Sequence, residues 1–220
     1  MSPATATASA LQCYLARLYE LDMAFRVEDF LFTDAALAQS LAGRGSRAMD
    51  EALLVKEEPD ALNLSLYLEP QLLARLDAAC PMQALGETVL DDFWSVLEGV
   101  SHFTYLTFKA QHTQGVRGVE LELQAEVDKF VVTALLAEEQ RRPAERPRLH
   151  QRLFEESCVD PSLEGAMRTR YLDAGREAAR YCLGLLRRYS GADAPALRRE
   201  LRRFYRLDHR SKLDFIASRA

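Results

Sequence analysis

Four side chains in the middle of the chain, Glu98, His102, Glu122 and Glu126, have the types and the spacing to do chemistry together. Glu98 and His102 stand four residues apart, and Tyr105 and Lys109 continue the series, so one helical face would carry all four. Asp91 and His112 lie near the ends of that face. Glu122, Glu126, Lys129 and Thr133 repeat the spacing further on, and Glu120, Gln124 and Asp128 lie on nearly the opposite side of the same predicted helix. If the Glu122 stripe faces Glu98 and His102, oxygen and nitrogen ligands converge, as they do in metal sites of helical bundles. The same group suits acid–base chemistry, because a Glu enclosed beside a His has a shifted pKa. The spacing Glu98-x-x-x-His102 departs from the Glu-x-x-His of ferritin-like sites, and the group holds one histidine. Interhelical salt bridges with Lys109 and Lys129 account for these residues without any site. The expectation is therefore no metal, no cofactor and no catalytic centre.

A second group is basic. Arg198, Arg199, Arg202, Arg203 and Arg206 line the outward side of a predicted helix whose other side is Leu197, Leu201 and Phe204. Arg187-Arg188 precede them and His209-Arg210-Ser211-Lys212 follow. The planar guanidinium fork suits phosphates, and the break at Leu207-Asp208 outlines a helix–break–helix, though without a glycine in the turn. Docking of these arginines on the acidic remainder of the chain is the plainer expectation. Nucleophilic catalysis has little support, since Ser101 and His102 are adjacent and helical neighbours point about 100° apart. Cys13, Cys80, Cys158 and Cys182 form no Cys-x-x-Cys pair and imply no disulfide framework. His150 and His209 read as solvated single histidines, and Gly43-Arg44-Gly45-Ser46-Arg47 reads as a plain loop without a P-loop ending.

Helices must hold both groups in place. Residues 88–112 carry Val89, Phe93, Val100 and Phe103 at helical spacing, a turn follows at 113–118, and a second helix runs to about Glu139. The pair predicts an antiparallel helical hairpin. Two apolar stripes on its second helix, Leu123-Val127-Phe130-Ala134 and Leu121-Ala125-Val132-Leu136, predict a helix sandwiched between two layers. Upstream, Leu62, Leu64, Leu66 and Leu68 alternate with polar residues after a Pro59-Asp60 turn, and Leu53–Glu58 supplies the partner strand. Phe25–Phe32 is a candidate third strand, with Asp34 a cap for the helix after it, and Pro70 opens a helix carrying Leu72, Leu73 and Leu76. Downstream come a short helix at Leu149–Glu156, a long apolar stripe from Met167 to Leu185, and two last helices from Ala194 and through Ile216. The fold class is α+β and mainly helical. A small antiparallel sheet before Glu69 precedes the long helical hairpin and a C-terminal helical bundle.

The chain has 220 residues, 48% of them hydrophobic and 28% charged, enough to fill a globular core in one domain or two. No apolar run approaches the ~18–20 residues that span a bilayer, and Met1–Ala10 has no secretory pattern. The net charge of −5 conceals −13 over residues 1–140 and +8 over 141–220. The division reads as a disordered tail at 1–10, an acidic α+β part at 11–140, a linker at 141–148 and a basic helical part at 149–220 packed on the first. Arginine outnumbers lysine 24 to 4, as in GC-rich bacterial genomes. These features point first to a cytoplasmic regulatory or adaptor protein that acts through a protein partner by charge-guided association. The alternatives are a nucleic-acid-binding protein using the arginines, and an enzyme or metal-binding helical protein using Glu98, His102, Glu122 and Glu126.

Overall fold

A computed structural model describes residues 5–42, 50–58, 61–141, 146–156, 165–189 and 194–219. The Gly43–Arg47 loop, the Pro59-Asp60 turn, Cys158, Asp160-Pro161 and Ser190-Gly191 lie outside them. Helix α1 (Ala6–Tyr19) starts inside the stretch expected to be a tail. Alanine is the best helix former, Ala8 is fully buried, and the Thr7 hydroxyl donates to Asp77 Oδ1 at 2.6 Å, so residues 6–10 belong to the fold. A single 3-10 turn at Val27–Asp29 leads to strand β1 (Leu31–Phe32). Helix α2 (Ala35–Ala42) then begins where Asp34 Oδ1 accepts from the Leu37 amide at 3.0 Å.

Strands β2 (Glu51–Glu58) and β3 (Ala61–Leu68) pair antiparallel, with Leu53 opposite Leu66 and Val55 opposite Leu64. The sheet is mixed, because β1 joins the other side of β3 in parallel. A helix and a whole strand separate β1 from β3, so the chain re-enters in the same direction. The leucine alternation of β3 is only half used. Leu66 and Leu68 are buried on the helices, whereas Leu62 at the projecting tip is 37% exposed. Helix α3 (Pro70–Ala79) has proline at its first position and the Glu69 carboxylate accepting from the Leu72 amide at 2.5 Å.

The long hairpin is α4 (Leu90–Gln111) and α5 (Gly118–Glu139). After it come α6 (Arg146–Phe154), α7 (Gly165–Arg188), α8 (Ala194–Arg206) and α9 (His209–Ala217). Pro147, read from the sequence as part of a linker, sits in the first turn of α6, where a missing N–H costs nothing, so the described chain is helical again from Arg146. One hydrophobic core runs from Leu11 and Leu15 of α1 through Phe93 and Val100 of α4 to Tyr181 and Phe204. Helix α7 lies along α5, and α8 lies on α1, so the acidic and basic parts of the chain share that core. Among the described residues no helix is long and apolar enough to cross a membrane.

Helix α5 has α4 against one side and α7 against another. It is therefore buried nearly all round, and Glu120, Glu122, Gln124, Asp128 and Lys129 go inside with its apolar residues. Buried polar groups must find partners, since desolvation of an unpaired one is costly. The two polar stripes of α5 organise two separate clusters.

Candidate functional site

The first cluster brings Glu98 and His102 of α4 to Glu122, Glu126 and Lys129 of α5. Lys129 Nζ lies 2.5 Å from Glu98 Oε2 and 2.8 Å from Glu126 Oε1. His102 Nε2 lies 3.4 Å from Glu122 Oε2, an ion-pair distance without the alignment of a hydrogen bond. Glu51, at the start of β2, closes a third side. One ligand atom from each of Glu51, Glu98 and His102 lies within 4.8 Å of the other two. From α7, Arg170 Nε comes to 3.8 Å from Glu122 Oε1. Four carboxylates thus share one cage with an imidazole, an ammonium and a guanidinium.

Its electrostatics follow from burial and from those neighbours. Burial, with Glu98 beside it, pushes the Glu51 carboxyl up to about 8. Burial alone would raise Glu98 too, but Lys129 and His102 outweigh it and hold that carboxyl below its usual range. Burial opposes the imidazolium of His102, yet Glu122, Glu51 and Glu98 together raise it to about 9. The Tyr171 phenol on α7 is pushed up by burial and then by the negative Glu122. Three polar atoms in the cage have no hydrogen-bond partner among the described residues: Glu51 Oε2, His102 Nε2 and Arg170 Nε. Of these, His102 is the deepest, with 7% of its side chain exposed.

Two glycines make the cage possible. A Cβ on Gly99 would meet Glu51 Oε2 at 2.9 Å and Leu66 Cδ1 at 3.1 Å, so the sheet reaches α4 only because that position is bare. A Cβ on Gly118 would collide with the Arg170 guanidinium and meet its Cδ at 3.1 Å.

The second cluster takes the other stripe of α5. Asp128 accepts from the hydroxyls of Tyr19 and Ser101, the latter at 2.5 Å, and from Gln124 Nε2 at 2.9 Å. Lys212 of α9 donates to Gln124 Oε1 at 2.5 Å and sits 4.4 Å from the Tyr105 ring centroid and 4.7 Å from that of Phe204. Burial pulls the Lys212 amine down to about 7 and pushes Asp128 up to about 6. Tyr105 donates to Glu120 Oε1 at 2.5 Å, and Lys109 Nζ donates to the Leu207 carbonyl at 2.9 Å. Tyr105 and Lys109 therefore leave the Glu98–His102 stripe for this cluster. At their level α5 presents Glu120, a half-turn round from Glu122. This network ties α8 and α9 to the long hairpin.

The five arginines of α8 have different partners. Arg202 Nε donates to the Leu18 carbonyl at 3.0 Å and its Nη1 lies 2.6 Å from Glu20 Oε1. Arg206 donates to the Glu20 carbonyl at 3.1 Å. These two satisfy carbonyls left over at the C-terminal end of α1. Arg198 lies 3.9 Å from Glu139, Arg203 stacks over Phe215 at 5.4 Å, and Arg199 is exposed. His150 is buried rather than solvated, with Nε2 2.9 Å from the Ala179 carbonyl and its ring 4.9 Å from that of Phe154.

Sequence reading did not include Glu51 or Arg170 in the site. For Glu51 a signal was there. In the register Glu51–Leu68, Leu53–Leu66, it occupies an inward position of a period-two strand, where an acidic residue is out of place. Arg170 gave no such signal, being one of several arginines on α7. Comparison with protein-family models, with curated proteins and with solved structures finds no match to this chain.

Proposed function

We propose that the protein is a divalent-cation-binding helical protein that holds a transition-metal ion in the cage, with Glu51, Glu98 and His102 as ligands. The observation that carries this reading is His102 Nε2, nine-tenths buried, without an aligned hydrogen bond among the described residues and set among carboxylates, 3.4 Å from Glu122. An ion bound there would displace the proton that those carboxylates hold on the ring. Imidazole with two carboxylates suits ions from manganese to zinc better than calcium, which takes six to eight oxygens. Ligand atoms about 2.1 Å from such an ion stand about 3–4 Å apart, so three atoms within 4.8 Å of one another need to close by no more than about 1–2 Å. Three protein ligands leave positions for water or substrate, the arrangement of catalytic rather than structural sites.

The test is calorimetric titration of the chelator-stripped full chain with Mn2+, chosen because the exposed thiols of Cys13 and Cys80 prefer softer ions. One site per chain is expected, lost in His102→Ala and in Glu98→Gln. Binding that neither substitution weakens would overturn the reading.

Two other readings draw on less. A protein partner is favoured by the exposure of Leu37 and Leu41 on α2, Val55 on β2 and Leu62 on β3, with β2 the edge strand of the sheet among the described residues. The outer half of that edge carries Lys56, Glu57 and Glu58, which guard an edge against added strands. A nucleic-acid surface is supported by the arginine count of α8, but Arg202 and Arg206 already serve the end of α1.

A further inference from the structure

Resting on the cation reading of the cage, we infer that Lys129 is its built-in competitor: the ammonium occupies Glu98 until a metal ion takes that carboxylate, and it then retreats onto Glu126. Lys129 Nζ bridges the two carboxylates, 2.5 Å from Glu98 and 2.8 Å from Glu126. Glu98 belongs to the set of three that can meet at one ion, and Glu126 does not. A metal ion and an ammonium cannot both sit at contact distance from Glu98 without strong repulsion in a site so poorly hydrated.

The retreat is already built. Glu126 lies three residues before Lys129 on the same helix, so the pair survives when the Glu98 contact is lost. Glu126 and Glu98 are about equally exposed, 20% and 16% of their side chains, so the exchange costs Lys129 little change of environment. Lys129 already touches Glu126, so it needs only to give up the Glu98 contact. Metal-free, the lysine neutralises a cage that would otherwise repel itself apart. Metal-bound, it becomes a neighbour of the site, and its position reports occupancy.

A double-mutant cycle tests this, read as the Mn2+ dissociation constant of the stripped full chain. Lys129→Gln is expected to tighten binding by about ten- to a hundredfold, the range over which groups around a ligand set move affinity. Glu126→Gln is expected to weaken binding, because Lys129 then has no second partner and stays on Glu98. In the Lys129→Gln background the same Glu126→Gln change should have almost no effect. If Glu126 acted only through the general field, its effect would persist in full there, and the exchange would be refuted. Lys129→Gln that leaves affinity unchanged would refute it too. Should Lys129→Gln fail to fold, Lys129→Arg keeps the charge and its fork holds Glu98 more firmly, so weaker binding is expected and unchanged binding overturns the inference. Absence of Mn2+ binding in both the wild type and Lys129→Gln would instead sink the cation reading itself.

Discussion

Glu51 on β2 and Gly99 on α4 stand so close that a methyl group on the glycine would meet the carboxylate at 2.9 Å. The sheet thereby delivers an acidic side chain to the centre of a helical cage, and the contact sets the separation of sheet and helix. Gly99→Ala adds about 1 kcal/mol of helix propensity but overpacks Glu51, Leu66 and Leu68 at a cost of about 1–3 kcal/mol. We expect a net loss of stability in urea titrations, with weaker Mn2+ binding. A gain equal to the whole propensity term would show that the contact is not crowded.

Gly118 and Arg170 should behave as one unit. A side chain at Gly118 has to displace the guanidinium that approaches Glu122. Gly118→Ala and Arg170→Ala are each expected to change stability by no more than about 1 kcal/mol, since the flexible guanidinium can shift. Both should weaken Mn2+ binding, and the double variant should weaken it by much less than the two effects together. Simple additivity in Mn2+ affinity would separate the two.

The Asp128–Gln124–Lys212 network gives a pH dependence of definite sign. Lys212 has its folded pKa depressed from 10.5 to about 7, so the unfolded chain binds the extra proton across that window and stability rises with pH through it. Asp128 is raised from 3.8 to about 6, so the folded chain holds the extra proton there and stability falls as pH rises from about 4 to 6. Glu120 and Lys109, which face Lys212, shift it in opposite senses. Each group contributes at most about 1.4 kcal/mol per pH unit. Unfolding free energies between pH 4 and 10 should lose the alkaline rise in Lys212→Met and the acidic fall in Asp128→Asn. A rise that survives Lys212→Met would mean that other groups cause it.

Arg202→Ala is expected to destabilise the chain by about 1–2 kcal/mol, because the Leu18 carbonyl and Glu20 both lose a charged donor. Arg199→Ala, at an exposed position, should stay within about 0.5 kcal/mol. Mobility-shift assays with duplex DNA at about 150 mM salt, where phosphate contacts are strongly weakened, should show no complex for the intact chain. A complex that weakens in Arg199→Ala and Arg203→Ala would move the nucleic-acid reading ahead of the others.

The sequence by itself determined the elements. Leucine alternation with period two suits a half-buried strand, proline after Glu69 suits a helix opening there, and the two stripes of α5 suit a helix enclosed on both sides. These are local constraints of backbone geometry, and they put Glu98 and His102 on one face of the first hairpin helix and Glu122 and Glu126 on one face of the second, without deciding that the two faces meet. Tertiary structure decided the rest. Helix periodicity says which residues share a face but not how far one helix turns while crossing another, so it could not send Tyr105 and Lys109 to Glu120 while Glu98 went to Lys129 and His102 to Glu122. Nor could spacing along the chain bring Glu51 from a strand or Arg170 from α7, at separations where only packing sets distance. Whether two charges attract, exclude each other or share a metal depends on ångströms and on burial, and both exist only once the core has closed.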